Sequence, residues 1–201
     1  MEPFRQFTAV AAPMDRDNID TDQILPARFL MMPRDQRYKT YVFHDLRIDR
    51  NERELSDFVL NQPAFRGARI IVAQHNFGCG SSREGAVFTL VDAGFRSVIA
   101  SSFGDIFYNN SFNNGLLPVV LPKEDIDRLH EQLTQSPGAE VTVDLEAQTV
   151  VAPDGTVFVF DIDPHRRYRL LNGLDAVGYT LQFKRDIESF EADYERQTGW
   201  H

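Results

Sequence analysis

The feature that most constrains this chain is a short buried strand that runs into a glycine-rich turn and then into a helix. Residues 68–73 are almost all apolar and rich in β-branched side chains, which is typical of a strand buried on both faces. Residues 76–80 contain two glycines and end the strand. Residues 82–93 place apolar side chains at helical spacing before Gly94, and residues 98–100 form a second apolar run. This order predicts a β–turn–α–β unit with parallel strands and a right-handed crossover.

Further strands and helices are predicted on both sides of this unit. Asp154-Gly155 separates two apolar segments and predicts a hairpin turn. Residues 34–53 have no clear period and are predicted to be irregular. The mixture of elements predicts an α/β class with a substantial antiparallel part. Strands are predicted at 8–12, 117–121, 141–145, 149–151 and 157–162, and helices at 103–113 (helical or partly coiled), 123–133, 164–171 and 183–196.

The charge balance argues against two classes of partner. The 201 residues include 21 basic and 30 acidic side chains, which gives a formal net charge of −9. A field of this sign opposes binding to nucleic acid and to anionic membranes, so any anion site must be built locally. The first residues lack the continuous apolar core of a signal peptide, and no stretch approaches the length of a membrane span. We expect one domain over residues 1–201, with a C-terminal helical extension, in the cytoplasm.

The chain has a single cysteine, Cys79. One thiolate and scattered histidines cannot assemble an internal disulfide, a zinc site or an iron–sulfur cluster, so we expect no metal site in this chain. We expect Cys79 to be a buried structural thiol rather than a nucleophile. Asp20 and Asp22 could form a metal pair, but two carboxylates in a turn more often form Asx-turns. Three arginines at 166–169 are predicted to form a solvated helix face.

The clearest chemical signal comes from nine residues that run from the end of the buried strand at 68–73 into the start of the helix: Asn76-Phe77-Gly78-Cys79-Gly80-Ser81-Ser82-Arg83-Glu84. The two glycines permit positive φ angles and close approach of a ligand to the backbone. Ser81 and Glu84 have capping-box spacing, and a helix start with an arginine beside it suits a carboxylate or a phosphate. The same residues are also compatible with a capped helix after a tight turn and nothing more. The segment lacks a Walker lysine, a complete dinucleotide fingerprint and a hydrolase elbow.

This segment resembles the NFGCGSSRE motif found in small subunits and swivelling domains of the aconitase superfamily. Three further segments resemble the small subunits of 3-isopropylmalate dehydratases, and all four occur in the order of that family. The further segments are residues 18–26 (NIDTDQILP), 105–118 (DIFYNNSFNNGLLP) and 172–175 (NGLD).

The resemblance implies a fold, a reaction and a partner. The fold is a swivelling β/β/α domain of aconitase type, with a mixed sheet or barrel and flanking helices. The reaction is the interconversion of 2-isopropylmalate and 3-isopropylmalate by dehydration and rehydration, a step of leucine biosynthesis. This hydro-lyase would be active only in a heterodimer. The chain itself would hold no cofactor, because the four-iron–four-sulfur cluster of such enzymes lies on a separate large subunit.

The resemblance also assigns roles to residues of the nine-residue segment. It makes Ser81 the base that removes the carbon-bound proton. It makes Ser82 and Arg83 ligands of a substrate carboxylate, with Gly80 in the same binding site. A serine hydroxyl is a poor base at neutral pH, but helix N–H groups and an adjacent arginine lower the cost of its alkoxide.

The apolar tetrapeptide Phe29-Leu30-Met31-Met32, with Arg28 before it, occupies the position of the family's substrate-selecting loop. An apolar loop suits the isopropyl group of an alkylmalate substrate. The same four side chains are also compatible with core packing or with a subunit interface. Arg28 could face either a carboxylate or solvent.

Gly85 departs from the family, in which histidine and alanine usually follow the serine–arginine–glutamate run. We expect this change to affect the choice of substrate or the partner interface more than the type of reaction. Two alternatives stay open. One is the small subunit of a related hydro-lyase, such as a citraconate or dimethylmalate hydratase, and the other is a non-catalytic anion-binding paralogue.

Overall fold

Seven strands form one mixed sheet in the computed structural model of the chain, which describes residues 1–199. The strands are β1 (Gln6–Met14), β2 (Ile70–Ala73), β3 (Ser97–Ala100), β4 (Leu117–Val120), β5 (Glu140–Asp144), β6 (Thr149–Val151) and β7 (Val157–Val159). Their spatial order is β4-β3-β2-β1-β5-β6-β7. The first four strands pair in parallel, and β5 to β7 continue from β1 in antiparallel pairs. The predicted α/β class with an antiparallel part is therefore confirmed, as is the parallel crossover unit.

Helices lie between most of these strands and follow the last one. They are α1 (Thr21–Ile24), α2 (His44–Arg47), α3 (Glu84–Asp92), α4 (Asp105–Asn113), α5 (Lys123–Gln135), α6 (Pro164–Leu171), α7 (Ala176–Leu181) and α8 (Lys184–Thr198). The region predicted as irregular contains α2 and a 3-10 turn, Tyr38–Tyr41. Among the helices of residues 1–199, none is long and apolar enough to cross a membrane.

The parallel half of the sheet is covered on both faces, because successive strand side chains point to opposite sides. Ile70 and Val72 of β2 belong to the hydrophobic cluster that also contains the apolar residues of α5. Ile71 and Ala73 belong to the opposite cluster, which contains Ala86, Val87 and Leu90 of α3. The whole of β2 is buried as a result, and its carboxyl end is fixed between two packed helix layers.

The helix predicted at 183–196 is α8, which begins one residue later than predicted, ends at Thr198 and buries none of its residues. Ile187, Phe190 and Tyr194 are exposed at helical spacing along it. Trp200 and His201, the last residues of the predicted domain, lie outside the described residues.

The prediction that the arginines at 166–169 form a solvated face is wrong. Arg169 is only 9% exposed and donates to the Asn113 side chain at 2.8 Å. Arg167 donates to the carbonyl oxygens of Leu145 and Glu146. These guanidinium groups connect α6 to α4 and to the end of β5, a long-range pairing that the local sequence does not reveal.

Candidate active site

The segment with the strongest chemical signal lies at the carboxyl end of β2, where the chain also leaves β1 and β3. The Asn18 N–H donates to the His75 carbonyl oxygen at 2.8 Å, and the Phe77 N–H donates to the Ser102 carbonyl oxygen at 3.0 Å. The three segments that follow β1, β2 and β3 are thus joined by main-chain hydrogen bonds. In open parallel sheets, ligands bind outside the carboxyl ends of strands, so this edge is the expected place for a site.

The turn after β2 alternates in and out of the left-handed region. Asn76, Gly78 and Gly80 have φ angles of 60°, 72° and 92°. The Gly78 N–H donates to the Ile19 carbonyl oxygen at 2.7 Å. This backbone path, which glycine adopts at least cost, carries the chain from β2 to the start of α3.

Ser81 is held through its backbone while its side chain is exposed. The buried Thr21 hydroxyl donates to the Ser81 carbonyl oxygen at 3.0 Å, and the Arg83 N–H donates to the same oxygen at 2.8 Å. The Ser82 side chain is exposed as well. Within residues 1–199, the two serine hydroxyls make no hydrogen bond, so both are free to meet a ligand.

Helix α3 was predicted to begin at Ser82, but it begins at Glu84. Arg83 is its N-cap residue, with extended φ and ψ angles of −109° and 106°, and no side chain caps this helix end. The predicted capping box between Ser81 and Glu84 is therefore wrong. The Glu84 carboxylate instead accepts a hydrogen bond from the Asn114 side chain at 2.9 Å. The start of α3 keeps its positive potential without a competing cap, directly beside the two serines.

Arg83 forms an ion pair with Asp22, which lies on α1. The Arg83 side chain is 23% exposed and the Asp22 side chain 53% exposed. Asp20, the other carboxylate of this motif, accepts from the Gln23 N–H at 2.7 Å and caps α1, as predicted for an Asx-turn residue. The guanidinium of Arg83 therefore already binds one carboxylate at the surface.

Arg28 pairs with a carboxylate of the chain itself, and its side chain stays 53% exposed. It pairs with Asp45 through its two terminal guanidinium nitrogens, and its Cζ atom lies 4.4 Å from the centroid of the Phe29 ring. This pairing lowers the pKa of the Asp45 carboxyl to about 2. The Phe29 ring stacks on Tyr41 with its centroid at 4.2 Å. Arg28 and Phe29 thus fix the segment against α2 and the 3-10 turn, and the substrate-binding role expected for both stays a prediction.

The apolar tetrapeptide is divided between two environments. Leu30 is half-buried, and its Cδ2 atom would lie 3.3 Å from a Cβ atom built on Gly85, in the first turn of α3. Met31 is 93% exposed and Met32 46% exposed. Core packing in this chain therefore does not explain the two methionines, which are open to a ligand or a partner.

Cys79 is partly exposed, so the prediction of a buried thiol is wrong. Partial burial raises the pKa of the Cys79 thiol, and the Asp20 carboxylate adds to the effect. A raised pKa keeps the thiol protonated and argues against a nucleophilic role. The neighbouring His75 ring is hydrogen-bonded to the Ser102 hydroxyl at 2.7 Å. In the described part of the chain, no three histidine, cysteine or carboxylate side chains are grouped to hold a metal ion.

Two residues that shape this site were not identified from the sequence. Thr21 holds the Ser81 carbonyl oxygen, and Gly104 leaves room for the turn, because a Cβ on it would lie 2.6 Å from the Gly78 carbonyl oxygen. Thr21 lies in the first of the matched segments and Gly104 directly precedes the second. These motifs were the available signal, although they assigned no role to either residue.

The chain is similar to known proteins over its whole length. The family model of the aconitase C-terminal domain matches residues 1–124, and a second model, LeuD_N, matches residues 127–164. Proteins named 3-isopropylmalate dehydratase small subunit from Parvibaculum lavamentivorans and Jannaschia sp. are 50% and 47% identical over 200 residues, with 100% of each chain covered. A crystal structure of 3-isopropylmalate dehydratase from Methanocaldococcus jannaschii superposes with a TM-score of 0.67 and 28% identity, over 92% of this chain and 99% of that one.

Proposed function

The chain belongs to the family of 3-isopropylmalate dehydratase small subunits, and from this premise we propose that it interconverts 2-isopropylmalate and 3-isopropylmalate within a two-subunit hydro-lyase. One observation carries the proposal. Two exposed serine hydroxyls and one arginine lie together at an uncapped helix start, on the carboxyl edge of a parallel sheet. This arrangement combines a proton acceptor with an anion site.

Ser81 is the base of the proposed reaction. The substrate loses a carbon-bound proton and the hydroxyl of the adjacent carbon, and Ser81 takes the proton on its Oγ atom. Rehydration adds a hydroxyl to the carbon that lost the proton and a proton to the carbon that lost the hydroxyl. The start of α3 and the guanidinium of Arg83 stabilise the alkoxide, since both put positive potential near it. The hydrogen bonds to the Ser81 carbonyl oxygen keep the residue in place without occupying its hydroxyl.

Ser82 and Arg83 hold a carboxylate of the substrate, and Gly80 lets that carboxylate approach the backbone. Asp22 must release Arg83 for this to happen. An exposed ion pair of this kind contributes about 0–1 kcal/mol to stability, so a doubly charged substrate displaces it at little cost. A bidentate guanidinium–carboxylate pair then replaces a single contact.

Leu30 and Phe29 form the apolar side of the proposed site, with Met31 and Met32 completing it in the assembled enzyme. Covering an isopropyl group with such side chains favours binding by roughly 1.5–3 kcal/mol, by analogy with burying a valine or leucine side chain. An unpaired carboxylate in the same position would lose several kcal/mol. The binding free energy is thus favourable for an alkyl group and unfavourable for a carboxylate, which supports an alkyl-substituted malate as the substrate.

The iron–sulfur cluster implied by the family does not fit this chain. Such a cluster needs several thiolates, whereas the sequence has one cysteine, Cys79, whose thiol pKa is raised. We therefore assign the cluster to the large subunit, where it would supply the Lewis acid for departure of the substrate hydroxyl.

The test is co-expression of this chain with the candidate large subunit, followed by an isopropylmalate isomerisation assay on the purified complex and on each subunit alone. We expect turnover only in the complex and no iron–sulfur absorbance in the isolated chain. Citraconate and dimethylmalate belong in the substrate panel. The proposal is overturned if the iron-loaded complex converts either of these but not isopropylmalate, or if the isolated chain retains a stoichiometric cluster.

A further inference from the structure

Gly85 is enclosed by side chains from the segment that precedes it by about fifty residues. A Cβ atom on Gly85 would lie 2.9 Å from Leu25 Cδ2, 3.0 Å from the Tyr38 hydroxyl oxygen and 3.3 Å from Leu30 Cδ2. Contacts this short require a neighbour to move. The position therefore has no room for any side chain while residues 25–38 keep their present place on α3.

The backbone does not explain why glycine stands here. Gly85 is not among the glycines with a positive φ angle, and it lies in the first turn of α3. Glycine in a helix costs about 1 kcal/mol relative to alanine. Gly85 lies two residues after Arg83 in the sequence. Its missing side chain allows this helix to contact the segment that carries Leu30.

We propose that Gly85 determines specificity by positioning Leu30, an inference that rests on the proposed function. Because Gly85 has no side chain, Leu30 packs directly on the first turn of α3. The depth of this contact sets how much space is left for the alkyl group of a substrate whose carboxylate is bound by Arg83.

Among the three side chains that a Cβ on Gly85 would meet, Leu30 is the least restrained and therefore yields most easily. Leu25 and Tyr38 are 0% and 3% exposed, so the surrounding core restrains both. Leu30 is half-buried and is followed by the exposed Met31. A methyl group at position 85 therefore shifts the apolar wall away from α3 and enlarges the alkyl pocket.

The experiment uses the assembled two-subunit enzyme and compares kcat/KM for 3-isopropylmalate with that for its isobutyl analogue. In Gly85→Ala the ratio of kcat/KM for the isobutyl analogue to kcat/KM for 3-isopropylmalate should rise on the order of tenfold. This is the usual effect of one methylene in an apolar pocket. Gly67→Ala is the matched control, because nothing lies within 4 Å of a Cβ on Gly67. It should leave the ratio unchanged.

Two further variants separate positioning from loss of structure. Leu25→Val removes the atom nearest to the new Cβ, so adding it to Gly85→Ala should return the ratio toward the wild-type value. Leu30→Ala retracts the same wall without straining α3 and should raise the ratio by itself, which tests the proposal even if Gly85→Ala does not fold.

An equal loss of kcat/KM for both substrates, or an unchanged ratio in Gly85→Ala and Leu30→Ala, overturns the role of Gly85. Failure of the Leu25→Val rescue also overturns it. A wild-type complex that is loaded with iron but inactive on isopropylmalate overturns the proposed function instead, so the two failures are distinguishable.

Discussion

Gly78 lies so close to the ring of Phe107 that a Cβ atom on the glycine would fall 2.2 Å from the ring Cγ. Gly78 also has a φ angle of 72°. Phe107 is buried on α4 and packs edge-on against Phe77, with ring centroids 5.3 Å apart. This contact fixes the turn before α3 against α4, so the position of Ser81 depends on a glycine three residues earlier.

Gly78→Ala should therefore be among the most destabilising single substitutions in the site. Positive φ costs a non-glycine residue about 1–2 kcal/mol, and overpacking adds about 1–3 kcal/mol. Gly80→Ala is the matched comparison, because its φ is also positive but its nearest neighbour would be 3.5 Å away. Urea unfolding of the isolated chain should show the larger loss for Gly78→Ala, and equal losses would mean that Phe107 yields readily.

The same turn shows how far local sequence reasoning reaches. The strand, the glycine-rich turn and the helix were all predicted, because burial and glycine leave clear patterns over a few residues. The helix start was not, since Ser81 and Glu84 have ideal capping spacing and yet make no cap. Thr21 binds the Ser81 carbonyl oxygen and Asn114 binds Glu84. Both partners are distant in sequence, and their contacts are not encoded in the local pattern.

Ser81→Ala should reduce kcat of the assembled enzyme by orders of magnitude and leave KM nearly unchanged, because a base, the role proposed for Ser81, acts mainly in the transition state. The isolated variant should unfold at the same urea concentration as the wild type, since the Ser81 side chain is exposed and makes no hydrogen bond within the described residues. Ser82→Ala is the control and should mainly raise KM. Near-normal turnover in Ser81→Ala would move the base to the partner subunit.

Arg83→Lys should mainly raise KM. A lysine keeps the charge but cannot bind a carboxylate bidentately. The change should cost little stability, because the ion pair with Asp22 is exposed and such pairs contribute about 0–1 kcal/mol. Arg28→Lys provides the comparison and should affect KM less, since Arg28 is held by Asp45 through two nitrogens whereas Arg83 makes a single contact with Asp22. The measurement is the KM of both variants from steady-state kinetics. An unchanged KM for Arg83→Lys would leave Arg83 with a structural role only.

His130 should make the protein less stable below neutral pH. It is 7% exposed, and its Nε2 atom has no hydrogen-bond partner within residues 1–199. Burial lowers its pKa below the ordinary value of 6.5, against opposing effects of Asp15 and Asp127 and with a small contribution from Lys123. Between the lowered pKa of the folded chain and the ordinary value of 6.5, His130 binds a proton in the unfolded chain but not in the folded chain. Stability is therefore retained above pH 6.5 and falls as the pH decreases toward the folded pKa.

The measurement is the free energy of unfolding in urea from pH 7.5 to pH 5 for wild type and His130→Leu. The variant should show a shallower decrease over the acidic half of this range. A wild-type curve that is flat below pH 6.5, or an equal slope in His130→Leu, would assign the acid sensitivity to other groups.

The prediction of the substrate depended on a resemblance to a family more than on local sequence patterns. The tetrapeptide is uniformly apolar in sequence, yet Leu30 packs on α3 while Met31 and Met32 are exposed. Leu30 packs where Gly85 leaves room on the helix, and no spacing rule connects positions so far apart. The ion pair between Arg28 and Asp45 was equally unpredictable, because the sequence left a carboxylate and solvent as equal alternatives for Arg28.

Met31→Arg should shift the preference of the assembled enzyme toward tricarboxylates. The wild-type segment has no charge to pair with a third carboxylate, and leaving one unpaired there costs several kcal/mol. An arginine would supply the counter-charge and remove apolar surface. Because Met31 is 93% exposed, the change should not disturb folding. The measurement is kcat/KM for isopropylmalate and for a homocitrate-like tricarboxylate, with Met32→Arg as the neighbouring comparison. If the wild type already prefers the tricarboxylate, the tetrapeptide does not select the substrate, and its apolar character serves packing against the partner subunit.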